Sequence, residues 1–292
     1  MTTASLLRVA DPERIRELRS VLIEAANAAA PYLNSPSWEP AAGSEGAAEI
    51  TTTETGPAGP WGENPVRTTH ALTHALMDTV LTHVRGLALL YVGEPPAMST
   101  VTVARSAMES ASTAWWIMEP GIGARYRVAR VTAERLRSSL EASKAITHLT
   151  GPVNPRDYSE TEDQVRNYAT ALGLSAAAGD PRIERQVRPN STDLITRLFE
   201  TDSALTRSQA RLIYPTYSGV AHALLYGIMQ FLRPVETNGK VILQWQTDPQ
   251  ITDAVASYTL AVMIAAMDRT VLVMGWDAAN WDAWKSSLSE HF

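Results

Sequence analysis

Hydrophobic residues recur along this chain at intervals of three and four, with polar residues filling the opposite faces, which is the pattern of amphipathic helices. Ile15, Leu18, Val21, Leu22, Ala25 and Ala29 form one stripe. Asp11-Pro12-Glu13 ahead of it supplies an N-cap, a first-turn proline and an early acid, so a helix is predicted over residues 11 to 33. Leu72, Leu76, Val80, Val84, Leu87 and Leu90 form a second stripe over residues 66 to 92, ended by Gly93-Glu94-Pro95-Pro96. Two more helices are predicted, one over 98 to 118 stopped by Glu119-Pro120-Gly121, the other from Ile122 to about Leu149 closed by Gly151-Pro152. Long helices joined by short turns pack as antiparallel neighbours.

Further along, a shorter helix fits residues 159 to 172, and Ser191-Thr192-Asp193 can cap one that runs to Glu200. Residues 206 to 231 read as a helix interrupted at Pro215, because proline lacks a backbone donor and restrains Tyr214 before it. Asn238-Gly239, between Val235 and Val241-Ile242-Leu243, is a hairpin signal. Helices over 250 to 275 and 277 to 290 complete the chain.

The stretch from Ser35 to Pro65 is different in kind. It is rich in Pro, Gly, Ser, Thr and Glu with almost no large aliphatic residues, and so predicts a long loop, with Trp38 and Trp61 pinning its ends. The expected architecture is an all-α antiparallel helical bundle with a long loop after helix 1 and one small β-hairpin. Residues 1–34 give an N-terminal helix packed on the rest, 35–65 the loop, and 66–292 a bundle with a single core.

Composition narrows the chemistry. A formal net charge of −6 gives no global attraction to nucleic acid, so any such site has to be a local patch. With no cysteine there is no disulfide, thiolate metal site or cysteine nucleophile. The first twenty residues carry charges where a signal peptide needs an apolar run, so a cytoplasmic location is expected. The most apolar window, Ala254 to Met267, falls short of the ~20 residues of a bilayer span and predicts a buried helix and no membrane partner.

Four groups of residues stand out. His70, His74 and Asp78 share one helix face at i, i+4, i+8, a spacing that would place neighbouring ligands for a divalent metal, or else form a solvated stripe continuing to Arg85. Arg105 and Glu109 form an i, i+4 pair on a helix that is apolar on most faces, either tying helices together or marking a pocket. His222 follows Tyr217 and Ser218 in an apolar, small-residue segment, where a neutral imidazole either packs or acts as a general base. Gly219 and Gly227 look like packing residues. Arg125, Arg127 and Arg130 open a basic run reaching Lys144 that would serve as a phosphate-binding stripe or a solvated face.

The stretch ARSAMESASTAWWIMEPGIGARYRVAR, with the downstream YPTYSGVAH, resembles actinobacterial proteins that look like distant relatives of the HEPN superfamily of helical bundles. The resemblance spans roughly residues 66 to 230 and implies that an Arg-x-x-x-Glu helix, here Arg105 and Glu109, pairs with a late Ser-x-x-x-His helix, here Ser218 and His222. Active HEPN ribonucleases carry His four to six residues after Arg, whereas the nearest arginine upstream of His222 is Arg211. Three functions stand open. One is a HEPN-like protein binding or cleaving RNA or a nucleotide through Arg105, Glu109, Tyr217, Ser218 and His222. The second is a metal-dependent or acid–base enzyme acting on a small-molecule ligand, and the third a non-catalytic interaction protein; a homodimer fits any of them.

Overall fold

The computed structural model describes residues 11–34, 38–55, 64–93, 97–146, 161–202, 206–237, 239–245 and 249–288. Within them the chain is all-α apart from one antiparallel hairpin. The helices are α1 (Pro12–Leu33), α2 (Glu45–Thr55), α3 (Pro65–Leu90), α4 (Ala97–Ile117), α5 (Gly123–Ile146), α6 (Glu162–Ala171), α7 (Ser191–Asp202), α8 (Arg207–Ala221), α9 (Leu225–Ile228), α10 (Pro249–Met274) and α11 (Ala279–Ser287). The hairpin strands are β1 (Leu232–Thr237) and β2 (Lys240–Trp245), with Leu232 opposite Trp245 and Thr237 opposite Lys240.

Helix α4 is the hub. Ala104, Ala107, Met108, Ala111 and Ala114 are fully buried, and the small alanines let helices approach closely, with α3, α10, α7 and α8 all packing on α4. Helix α1 lies on α3, burying Ile15, Leu18, Val21 and Leu22, and its N-terminus is capped by the Asp11 side chain, which accepts from Glu13 N at 2.9 Å. Helix α10 has the length and apolarity of a membrane span, yet it is a core element, with Val255, Ala256, Val262, Ala266, Met267, Val273 and Met274 buried inside the protein. The short α4–α5 turn uses Gly121 and Gly123, both at φ +76°, where a side chain would be strained.

Two sequence expectations change. The stretch from Ser35 to Pro65 is not loop throughout, since α2 forms inside it. That helix carries no long aliphatic stripe. It is held by Ile50, and by Glu45 and Glu49, which meet Arg127 of α5. Trp38 pins the start of the stretch, its ring 4.9 Å from the His74 ring and 5.2 Å from that of Trp276, whereas Trp61 lies outside the described residues. Helix α8 also runs unbroken through Pro215, held by the Thr206–Gln209 capping box and by buried Ile213, Tyr214, Tyr217 and Val220. The chain turns instead after His222, where Ala223 adopts φ +53° and Leu224 N reaches Gly219 O at 2.8 Å. This turn brings Gly227 against Gly219, and a Cβ on Gly227 would lie 2.5 Å from the Gly219 carbonyl carbon.

Candidate functional site

Helix α4 presents Arg105, Glu109 and Thr113 on one face by their spacing of four. Arg105 Nη2 donates to the Glu109 carboxylate at 2.8 Å, and the Tyr214 hydroxyl of α8 donates to the same carboxylate oxygen. The Arg105 guanidinium also lies 5.7 Å from the centre of the Tyr214 ring, while its Nε is buried with no partner. Thr113 Oγ1 donates back to the Glu109 carbonyl and accepts from Arg188 Nη2 at 3.2 Å, which links this group to the loop that enters α7.

Arg188 is 9% exposed. Its Nε is 2.6 Å from the Glu134 carboxylate of α5, and its Nη1 donates to the Pro189 carbonyl at 2.8 Å. Glu134 also accepts from Arg137 at 2.9 Å, so two guanidiniums converge on one carboxylate. Burial lowers the Arg188 pKa from its ordinary value; the Glu134 carboxylate opposes this and the positive charge of Arg137 adds to it. Over these groups opens a cleft of about 550 Å³, lined by Arg137, Arg188, Tyr214 and the chain from Pro189 to Asp193, which forms the entry and first turn of α7. Asn190 caps that turn, its Oδ1 accepting from Asp193 N at 2.9 Å while its Nδ2 donates to the Asp193 carboxylate at 2.8 Å. Such a volume is within the ~300–1,000 Å³ of small-molecule sites. A second cavity of about 570 Å³ between α3 and α5 is lined mainly by apolar side chains such as Leu72, Leu76, Ile117 and Val131. Glu134 and Arg135 also line it, so it presents one acid and one guanidinium where the first presents two guanidiniums.

The other residues singled out from sequence go elsewhere. His222 is the exposed C-cap of α8, two turns or about 12 Å along the axis from Tyr214. Tyr214, and not His222, is therefore the α8 residue bonded to Arg105 and Glu109. Ser218 is half-buried, with its carbonyl accepting from His222 N at 3.0 Å. The Tyr217 hydroxyl is buried without a partner, and burial, with the neighbouring Tyr91 and Tyr258, raises its pKa well above the ordinary phenol.

His70, His74 and Asp78 share their helix face but do not converge. His74 Nε2 donates to the Leu33 carbonyl at 2.6 Å, and Asp78 is exposed. His70 is buried beneath α2 with neither ring nitrogen partnered, and burial together with the charges of Arg127 and Arg67 brings its pKa down to about 4. Among the described residues, no three His, Asp or Glu side chains are grouped to hold a metal.

The basic run on α5 is divided among internal partners. Arg127 is fully buried, bonded to Glu49 at 2.8 Å, Glu45 at 2.7 Å and the Ile117 carbonyl at 2.8 Å. Arg130 pairs with Glu119 at 2.6 Å, donates to the Trp116 carbonyl and lies over the Trp116 ring. Arg125 pairs with Glu184 at 2.9 Å and donates to the Gly173 carbonyl at 2.7 Å. These three do not form an open phosphate stripe, because α2, the end of α4 with the turn that follows it, and the loop around Gly173 and Glu184 supply acids and carbonyls that meet them. The arginines at the cleft are Arg137 and Arg188. The first belongs to the same basic run, and the second carried only the faint signal of an arginine just ahead of a helix cap. No protein-family model, curated protein or solved structure matches the chain.

Proposed function

We propose that the chain is a HEPN-like helical-bundle protein that binds a phosphate-bearing ligand, RNA or a nucleotide, in the cleft walled by α5, α7 and α8. The observation that carries this reading is the meeting of Arg137 and Arg188 on that wall, close enough for the charge of one to disfavour protonation of the other. An anion between them relieves that repulsion and accepts charge-assisted hydrogen bonds from both. Tyr214 lines the same cleft and offers an aromatic ring of the kind on which bases stack. The packing of α4 on α8 supports the reading at the level of the two helices, although the α8 residue that meets Arg105 and Glu109 is Tyr214 and not Ser218 or His222. In this reading Arg137 and Arg188 bind phosphate, Glu134 holds the two guanidiniums in place, and Glu109 orients the Tyr214 hydroxyl.

Calorimetric titration with AMP, ATP and a short single-stranded RNA, set against the uncharged nucleoside adenosine, tests the proposal. Saturable binding of the phosphate-bearing probes is expected, weakened by salt and reduced about 10–100-fold in Arg137→Ala. Arg137 suits this test because its side chain is 45% exposed and its loss leaves the core intact. Equal affinity for adenosine, or unchanged binding by Arg137→Ala, overturns it.

A further inference from the structure

The hairpin is the element least supported by its own chain. Its strands pair with each other, and neither shares a broad contact with any helix among the described residues. Val241, Ile242 and Leu243 are all exposed, the first by 71%, and because successive side chains on a strand point to opposite faces, both faces of the hairpin are apolar. Just ahead of it in the chain, Leu224, Leu225, Tyr226 and Met229 are exposed as well. A lone two-stranded hairpin is marginal in water. Seven large side chains, between 43% and 72% exposed, leave on the order of 600 Å² open in all, spread over the two faces of the hairpin and the turn ahead of it.

We propose that this surface joins two copies of the chain, with β2 pairing antiparallel to the β2 of a second copy across a twofold axis to make one four-stranded sheet. β2 is the free edge, since its six residues contain no proline, whereas Pro234 in β1 lacks the donor that an edge pairing needs. Three features favour a second copy over other occupants. Leu224 to Trp245 contains only Arg233, Glu236 and Lys240 as charges, of mixed sign, which gives nucleic acid or a strongly charged peptide little to hold. A lipid interior would leave the N–H and C=O groups of the open edge unpaired, while a second β2 satisfies them. A twofold contact makes one strand edge serve both sides, and edge pairing sets the apolar side chains on each face beside their counterparts in the second copy.

Sedimentation of the full chain tests this. Wild type is expected at twice the 31.8 kDa chain mass. Val241→Glu with Leu243→Glu is expected to weaken the dimer at least about 30-fold, the effect of losing one interface hot spot, while far-ultraviolet circular dichroism stays unchanged. As a second readout on unaltered protein, β2 amides should lose hydrogen-exchange protection on dilution in step with dissociation. A wild-type monomer at tens of micromolar, a dimer indifferent to both substitutions, or flotation of monomer with phospholipid vesicles overturns the proposal.

Discussion

Replacing Glu49 with alanine takes away the main carboxylate facing a guanidinium that has no access to water. Arg127 is 0% exposed and Glu49 5%, and the two are joined through Nε at 2.8 Å and Nη2 at 3.2 Å. Removing one partner of a buried pair costs ~3–5 kcal/mol, because the remaining charge is left desolvated. Arg127 keeps Glu45, whose side chain is 29% exposed, and the carbonyls of Ile117 and Glu119, so the lower end, about 3 kcal/mol, is expected. For a chain of this size that lowers Tm by about 6 °C. Urea denaturation followed by far-ultraviolet circular dichroism reads the free energy directly. Glu141→Ala is the control, since its Lys144 pair is solvent-exposed and contributes little. Replacing Arg127 and Glu49 together with Met and Leu should recover most of the loss, because no unpaired charge remains buried. If Glu49→Ala destabilises no more than Glu141→Ala, then α2 is not held by this ion pair and the account of α2 fails.

The remaining expectations are smaller or more local. His70 is held at about 4, below its ordinary 6.5, so the unfolded chain takes up a proton that the folded chain refuses. Stability from this group is full above pH 6.5 and falls as pH drops toward 4, by about 3 kcal/mol in all. His70→Leu should remove that slope from denaturation curves measured across the window, and an unchanged slope would place the loss in other groups. Glu109→Ala strands the half-buried Arg105 and the Tyr214 hydroxyl, and should cost about 1–3 kcal/mol in the same assay, with Tyr214→Phe costing less. Ala223→Gly relieves the φ of +53° and should stabilise by about 1 kcal/mol; destabilisation would show that the turn after α8 is wrongly described.

Much of the fold was legible because apolar periodicity is local. The stripes from Ile15 to Ala29 and from Leu72 to Leu90 declare α1 and α3 within a few residues, and Asn238-Gly239 marked the hairpin between β1 and β2. Helix α2 escaped because what fixes it is not local. Glu45 and Glu49 look like loop composition until Arg127, some eighty residues later, is placed opposite them. Pro215 misled for a related reason. The local rule sets the cost of a proline inside a helix, but buried Ile213, Tyr214, Tyr217 and Val220 on either side outweigh it, and the chain breaks only where packing allows, at Ala223.

The candidate site was half legible on the same grounds. Arg105 and Glu109 could be paired from their spacing alone, while their partner on α8 depended on the rotation and axial offset of a second helix, which sequence leaves open between Tyr214, Tyr217, Ser218 and His222. The arginines of α5 show what local spacing omits. Arg127 and Arg137 are alike in sequence, but Arg127 faces carboxylates delivered by α2, and a ligand anion could take it only by leaving Glu49 buried and alone. Arg137 faces Glu134 one turn away on its own helix, but its side chain is 45% exposed and lines the cleft, so it meets a ligand while keeping that pair. A guanidinium is available to phosphate where it reaches a cleft without giving up its resident acid. By that criterion, on α5, Arg137 qualifies and Arg127 does not, although the sequence singled out Arg127 and left Arg137 within the run.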